Sequence, residues 1–205
     1  LGVVGSNVRR AGELRHVELQ QRVATLEDAL RQVGCGQRRV QHLAGADAAR
    51  RAPQPIPLRD CVEEAIHLLQ LNKYTRPVQF LNYCSDDQVA LADHQRLLQV
   101  FVNLLTNARD ASADNTRIEI ACERTRNRLH IAVTDEGSGI SEQHMEKIFE
   151  PFFTTKEPGK GTGLGLALVY GILEELGGDI DIESPVNERG SGTRIHLWLP
   201  ASELS

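Results

Sequence analysis

The sequence has few of the features that mark secreted, membrane or metal-binding proteins. Its four cysteines, Cys35, Cys61, Cys84 and Cys122, are widely scattered, and none forms a Cys-x-x-Cys pair. This spacing indicates neither a zinc site nor a disulfide framework, so reduced cysteines in a cytoplasmic protein are the simplest interpretation. Apolar runs are far shorter than the ~20 residues of a membrane span, and no signal-peptide pattern is present.

An excess of positive charge is also lacking. The chain carries 23 lysines and arginines against 28 aspartates and glutamates, a net charge of -5, so nucleic acid is not an expected partner. Its seven histidines have no metal-ligand spacing. The 205 residues are 40% hydrophobic and 25% charged, which is sufficient for one globular domain and an appendage.

The N-terminal segment, residues 1–52, has helical character. Glycine and proline are almost absent from residues 14–52, and apolar residues follow a heptad pattern at Leu19, Val23, Leu26, Leu30 and Val33. We predict a short helix over 3–11, a turn at Gly12 and a long helix over 15–51; a hairpin at the glycines of 34–36 is the alternative. So narrow an apolar seam predicts bundling with a second copy, giving a homodimeric four-helix bundle.

The segment from Pro53 to Pro57 predicts a linker, because its three prolines enforce extended backbone. Helices and strands then alternate over residues 58–201. Helices are predicted at 58–71, 97–111, 141–149 (with Ser141 as N-cap) and 164–176, and strands at 78–83, 88–92, 117–122, 129–134, 179–183 and 193–199. The pattern predicts an α+β protein: a helical hairpin followed by a two-layer α/β sandwich with helices on one face.

Two polar features occur beside these elements. Asn103 and Asn107 are four residues apart and share one helix face, where their neutral oxygens suit a hard cation such as Mg²⁺; solvent-facing asparagines are the alternative. Asp135 follows a predicted strand in "DEGSGI", where it could accept a hydrogen bond from an exocyclic amine. A simple turn also explains that sequence.

The stretch "FEPFFTTKEPGKGTGLGLAL", residues 149–168, combines adjacent aromatics, a lysine and a glycine-rich helix start. Glycine-rich backbone entering a helix N-terminus is suited to anions. The stretch is neither a P-loop, because Lys160 lies on the wrong side of the glycines, nor a dinucleotide fingerprint, because no strand precedes it.

These motifs occur in the order Asn-x-x-x-Asn, Asp-x-Gly-x-Gly, Phe-x-Pro-Phe, Gly-x-Gly-x-Gly and Gly-Thr. Their order resembles the ATP-binding domain of sensor histidine kinases over roughly residues 58–200. That domain belongs to a superfamily with DNA gyrase, mismatch-repair ATPases and heat-shock chaperones. The sequences "FEPFFTTK" and "GTGLGLALVYGI" are similar to the nitrogen-regulation and dicarboxylate-sensor branch of the kinases.

The resemblance implies cofactors, ATP and Mg²⁺, and a role for each motif. Asn107, assisted by Asn103, would bind Mg²⁺, and Asp135, supported by Thr193, would read adenine. Lys156 and Lys160 would face the triphosphate from a mobile lid, residues 149–163, which its aromatic residues would anchor. Many relatives have a basic residue where Asp110 stands, and Arg109 is a substitute. The remaining implied ATP contacts are Gly137, Gly139, Ile140, Thr155, Gly161, Thr162, Gly163, Leu164, Gly165 and Leu166.

The resemblance also implies a phosphoacceptor histidine in a His-Glu-x-x-Asn-Pro-Leu-Gly helix. The opening "LGVVGSN" is similar to the residues that follow that motif, so we expect the acceptor just upstream of Leu1. His16 and His42 lack the motif. The implied partners are a second copy, through the N-terminal helices, and a response-regulator receiver domain.

The resulting hypothesis is an ATP-dependent protein-histidine kinase core. It would be cytoplasmic, or the cytoplasmic part of a membrane-bound sensor, without direct membrane contact in this segment. Two alternatives remain: a clamp-type ATPase of the same superfamily, and a non-catalytic nucleotide-binding scaffold.

Overall fold

A computed structural model describes residues 52–71, 76–157, 161–187 and 190–202. The predicted N-terminal helices, and with them the dimerisation segment, lie outside the described residues. The described elements run β1 (Gln54–Pro57), α1 (Leu58–Gln70), β2 (Gln79–Asn82), β3 (Val89–Ala92), α2 (His94–Ala111), β4 (Arg117–Thr125), β5 (Arg128–Asp135), α3 (Glu142–Met145), α4 (Gly165–Glu175), β6 (Asp179–Glu183) and β7 (Thr193–Pro200).

Five strands form the main sheet in the order β2-β4-β5-β7-β6. The β2–β4 pair is parallel and the other pairs are antiparallel. Because side chains alternate across a strand, one face of the sheet collects its apolar residues. The fully buried members of that face are Ile118, Ile120, Leu129, Ile131, Leu197 and Leu199.

Helix α2 lies between α1 and α4 and packs against β4 and β5. Its Val100, Phe101, Leu104 and Leu105 are fully buried. Burying an aliphatic or aromatic side chain stabilises a fold by about 1.5–3 kcal/mol, so this helix contributes strongly to the core. The predicted mixed α/β sandwich with helices on one face of the sheet is therefore confirmed for the described residues.

The predicted linker is extended, as expected, and it also takes part in a sheet. Residues Gln54–Pro57 form β1, which pairs antiparallel with β3 in a separate two-stranded sheet. An isolated bridge between Ala90 and Ala201 joins this small sheet to the end of the chain's last strand. The proline spacing revealed the extended backbone but not its partner.

Three element boundaries differ from the predictions by three or more residues. Helix α2 begins at His94, three residues early, because the Asp93 side chain accepts a hydrogen bond from Arg96 N and caps the helix. The β4–β5 hairpin is longer than predicted, with strands reaching Thr125 and Arg128. The predicted helix over 141–149 is wrong beyond Met145, and the Ser141 hydroxyl makes no capping hydrogen bond.

The C-terminal end of α4 is confirmed. Leu176 follows the helix and Gly177 has a φ of +69°, the left-handed conformation that glycine adopts without strain. Among the described helices, none combines the length and apolar character needed to cross a membrane.

Candidate nucleotide-binding site

The two predicted magnesium ligands face the start of α4. A methyl group built on Gly165, the first residue of α4, would lie 3.5 Å from Asn103 Oδ1 and 3.5 Å from Asn107 Nδ2. The missing side chain therefore keeps a space between the asparagine amides and the helix N-terminus. The Asn103 Nδ2 donates to the Gln99 carbonyl at 2.8 Å, which directs its amide nitrogen back along α2.

An N-terminus of this kind is suited to anionic groups. The first N–H groups of a helix have no partner within the helix, and the helix dipole places positive charge there. Helix α4 begins without a side-chain capping bond, and its N-cap residue, Leu164, is 38% exposed. Two amide side chains that suit a hard cation and a helix start that suits an anion therefore lie beside each other.

Asp135 ends β5 and is only 6% exposed. Burial raises the pKa of its carboxyl to about 6, and backbone hydrogen bonds from Gly137 and Thr193 oppose that shift in pKa. The Gly137 N–H donates to Asp135 Oδ1 at 2.8 Å. A buried carboxylate held by backbone donors is an acceptor of fixed direction, as purine recognition requires.

Gly137 and Gly139 leave no room for side chains. A methyl group on Gly137 would lie 2.8 Å from the Ala111 carbonyl oxygen at the end of α2, and also 2.8 Å from Asp135 Oδ1. Gly139 has a φ of +76°. The loop after β5 is thus packed directly on the end of α2, and the Ser138 N–H donates to the Ala111 carbonyl.

The glycine-rich segment closes back on the aromatic motif. The Phe152 N–H donates to the Gly163 carbonyl at 2.9 Å, and the two backbones are so close that a methyl group on Gly163 would lie 2.3 Å from the Phe152 carbonyl carbon. Residues 152 and 163 therefore form the base of the predicted lid. Phe152 itself has a φ of +67°, an uncommon conformation for a bulky residue.

The aromatic residues of the motif have different roles. The Phe149 ring contacts Tyr170 of α4, and the Phe153 ring contacts His144 of α3. Phe152 is 55% exposed. The expectation that the aromatics anchor this segment is confirmed for Phe149 and Phe153 but not for Phe152, whose backbone holds the base of the lid instead.

Lys156 pairs with an aspartate at the end of α2. Its Nζ lies 2.6 Å from Asp110 Oδ2, with both side chains about a third exposed. Gly161 packs against the Lys156 side chain, since a methyl group there would lie 3.1 Å from Lys156 Cβ. Lys160, the other predicted lid lysine, lies outside the described residues.

The structure does not bring Arg109 to the asparagine pair. Its Nη1 donates to the Leu69 carbonyl of α1 at 3.3 Å, and its side chain is 11% exposed. With 3.6 residues per turn, a residue two positions after Asn107 points to the opposite side of α2. The geometry thus gives no support to Arg109 as a substitute phosphate contact, which stays a prediction.

The remaining predicted site residues lie in the same loops or at the adjoining starts of α4 and β7. Thr193 is buried opposite Asp135 in the β5–β7 pairing, and the Ile140 N–H bonds to Ser184 Oγ. Thr155 is exposed, the Thr162 hydroxyl accepts from Leu164 N at 3.4 Å, and Leu166 packs against the core.

Replacing Gly163 with alanine is expected to destabilise the protein by about 2–3 kcal/mol, because backbone atoms must move and a φ of +65° strains any other residue. Urea unfolding measures the loss, and faster hydrogen exchange of the Phe152 amide would locate it. Gly171→Ala is the control: nothing lies within 4 Å of a methyl group there, and alanine in mid-helix should add about 0.5–1 kcal/mol. Equal stabilities for the two variants would contradict the close approach at residue 163.

The sequence of this chain matches those of known proteins. Residues 92–203, more than half of the chain, match the family model "Histidine kinase-, DNA gyrase B-, and HSP90-like ATPase". The chain is 37% identical over 153 residues to sensor histidine kinase ZraS of Escherichia coli O157:H7, covering 74% of this chain and 32% of ZraS. It is 35% identical over 163 residues to the C4-dicarboxylate transport sensor protein DctB of Pseudomonas aeruginosa, covering 77% of this chain and 26% of DctB.

A solved structure agrees with this relationship. The catalytic domain of histidine kinase ThkA, in a nucleotide-free form, is 32% identical, has a TM-score of 0.63 and covers 73% of this chain and 98% of that domain. The chain spans about a third or less of the curated relatives cited above. It belongs to the histidine kinase-, DNA gyrase B- and HSP90-like ATPase family, as the ATP-binding catalytic domain of a sensor histidine kinase.

Proposed function

We propose that this protein is an ATP-dependent protein-histidine kinase of a two-component system, with Mg²⁺ as cofactor. The observation that carries the proposal is the position of Asn103 and Asn107 against Gly165 at the start of α4. The donor set fits Mg²⁺, which prefers oxygen ligands and shares phosphate oxygens. When bound, Mg²⁺ would neutralise charge on the transferring phosphoryl group.

The residues of the chain would divide the work of binding and orienting ATP. Asp135 would accept a hydrogen bond from the adenine amine, and the glycines that follow it would let the base approach. The N–H groups of Gly165 and Leu166, which have no partner within α4 because they lie in its first turn, would bind phosphate oxygens. Phosphoryl transfer depends mainly on in-line positioning and stabilisation of negative charge, which these groups would supply.

Lys156 would contribute after leaving its partner. Its ion pair with Asp110 is partly exposed, and such pairs contribute only about 0–1 kcal/mol. A triphosphate carries more negative charge than one carboxylate, so nucleotide binding would draw the ammonium from Asp110 toward the phosphates. Lys160 would act from the same lid.

We further propose that the phosphate passes to a histidine on the dimerisation helices and then to an aspartate of a response regulator. Residues 1–52 would supply the homodimer contacts, and the protein would act in the cytoplasm. The relatives named sensor histidine kinase and transport sensor protein support this role. A clamp-type ATPase is disfavoured because those proteins have a water-activating glutamate one turn before the magnesium asparagine, where this chain has Asn103.

We expect the 205-residue chain to bind MgATP without phosphorylating itself, because neither His16 nor His42 lies in the acceptor motif. ATP at 100 times its Kd should stabilise the protein by about 2.7 kcal/mol, which corresponds to roughly 5–10 °C in Tm. Radiolabelled γ-phosphate should appear, acid-labile, only on an added helical domain that carries His-Glu-x-x-Asn-Pro.

Two outcomes of this experiment would count against the proposed kinase, and a third would count against the expected position of the acceptor histidine. Absence of a thermal shift with ATP would favour a degenerate, non-catalytic scaffold that does not bind the nucleotide. Steady ATP hydrolysis without a protein acceptor would favour the clamp-type ATPase. Acid-labile label on the chain itself would place the acceptor on one of its own histidines, of which His16 and His42, in the N-terminal segment, are the first to test.

A further inference from the structure

The hydroxyl of Ser184 joins two loops at one end of the main sheet. The first loop follows β5, and the second, which contains Ser184 itself, connects β6 to β7. Ser184 Oγ accepts a hydrogen bond from Ile140 N at 2.8 Å and donates one to the Gly192 carbonyl at 2.9 Å. The residue follows the end of β6, and no sequence pattern singled it out. A hydroxyl is the small side-chain group that can accept and donate at once, so both bonds depend on it.

Both loops also hold the carboxyl group of Asp135. The first loop supplies the Gly137 N–H, 2.8 Å from Asp135 Oδ1. The second loop places Gly192 immediately before Thr193, whose backbone hydrogen-bonds to the same carboxyl group. A direct bond from Gly192 N to the Gly137 carbonyl, 2.8 Å long, joins the loops beneath it.

The contact leaves little space for the loops to shift. A methyl group on Gly139 would lie 3.1 Å from Ser184 Oγ and 3.4 Å from the Gly192 carbonyl oxygen. Gly139 and Gly192 both have positive φ, +76° and +82°. Ser184 therefore adds two hydrogen bonds to the direct Gly192–Gly137 bond that joins the loops, at glycines whose backbone conformation is the least restricted.

We propose that Ser184 is a positioning residue for adenine recognition, acting through the two loops that orient the Asp135 carboxylate. The inference rests on the proposed ATP-dependent function. Without the hydroxyl, the two loops lose the bonds to Ile140 N and the Gly192 carbonyl, and the backbone donors to Asp135 separate more freely. The carboxylate then samples more orientations, which weakens a hydrogen bond to the adenine amine more than contacts to phosphate.

The test compares Kd values for MgATP and magnesium inosine triphosphate, whose base has a carbonyl oxygen in place of the adenine amine. In the full chain, Ser184→Ala is expected to weaken ATP binding about tenfold and inosine triphosphate binding less than about threefold. Ser184→Thr keeps the hydroxyl and should restore the preference for ATP. Ser184→Cys, a weaker donor and acceptor, should give an intermediate value and serves where the alanine variant folds poorly.

Ser191→Ala is the matched control, because among the described residues the Ser191 hydroxyl bonds to Asn187 of its own loop and not to Ile140 or Gly192. It should leave the ATP preference unchanged. If Ser184→Ala and Ser184→Cys lower the free energy of unfolding but keep the wild-type ratio of the two Kd values, the role is structural and the inference is overturned. A wild-type chain that binds neither nucleotide would instead overturn the proposed function, and the inference with it.

Discussion

Replacing Asp135 with asparagine is expected to weaken ATP binding about 10- to 100-fold, because a charge-assisted hydrogen bond to the adenine amine is lost. The substitution keeps the shape of the side chain and one oxygen to accept from Gly137 N. Calorimetric titration with MgATP measures the loss. Asp114→Asn, an exposed change in the turn after α2, is the control and should bind as the wild type does.

The same variant gives an independent result in the nucleotide-free state. Burial raises the pKa of Asp135 from 3.8 to about 6, so between these values the folded protein holds a proton that the unfolded chain has released. The free energy of unfolding therefore falls as pH rises through that window, because the folded protein must ionise a buried carboxyl group. This loss of stability is complete above about pH 6. An asparagine at this position does not ionise, so the stability of the variant does not fall for this reason.

The difference in unfolding free energy should consequently move in favour of the asparagine variant by about 2 kcal/mol between about pH 4.5 and pH 7.5. The exchange of an oxygen for an amide nitrogen also changes stability, but by the same amount at every pH. Comparing the two proteins at two pH values removes that constant contribution. Urea unfolding at several pH values measures it. A difference that stays constant with pH would show that Asp135 is not the buried carboxyl group described above.

The helices that build the site could be predicted from local pattern alone. Apolar residues of α2 recur on one face, and that face is the one buried against the sheet. The same pattern set Asn103 and Asn107 at its edge, and the glycines marked the start and end of α4. Local sequence was informative here because the spacing of apolar residues along an element indicates which of its faces is buried.

The contacts that join the elements could not be predicted in this way. Lys156 and Asp110 are 46 residues apart, and Ser184 bonds to backbone atoms 44 and 8 residues away. A backbone partner has no side chain that could signal it in the sequence. The β1–β3 pairing was missed for a related reason: proline spacing predicts extended backbone but contains no information about the strand beside it.

The short α3 shows a local pattern overridden by tertiary contacts. The sequence predicted a helix through Phe149 with Ser141 as its N-cap, yet the helix ends at Met145. Turns follow, and the ring of Phe149 then packs against Tyr170 of α4. Helix propensity is a weak preference over so few residues. The tertiary contact of the aromatic ring therefore decides where the helix ends.

Replacing Asn107 with alanine is expected to remove the contribution of Mg²⁺ to ATP binding. The affinity of the wild-type chain for ATP should fall when magnesium is chelated, whereas the affinity of the variant should be low and independent of the metal. Substituting a residue that only supports a metal ligand typically costs about 10- to 100-fold in metal affinity. Loss of the ligand itself should therefore lower the affinity for MgATP by at least that factor. Titration with ATP in magnesium and in EDTA separates this effect from a general loss of binding.

Asn103→Ala should have a smaller effect than Asn107→Ala. The Asn103 amide nitrogen donates a hydrogen bond to the Gln99 carbonyl of the same helix, which restricts the orientation of the amide group. Its Oδ1 faces Gly165, so it can still assist Asn107 in binding the metal. Asn127→Ala, in the exposed turn between β4 and β5, is the control for loss of an amide. If Asn107→Ala retains full magnesium dependence, the space between α2 and the start of α4 does not hold the metal, and the proposed arrangement of the phosphates is wrong.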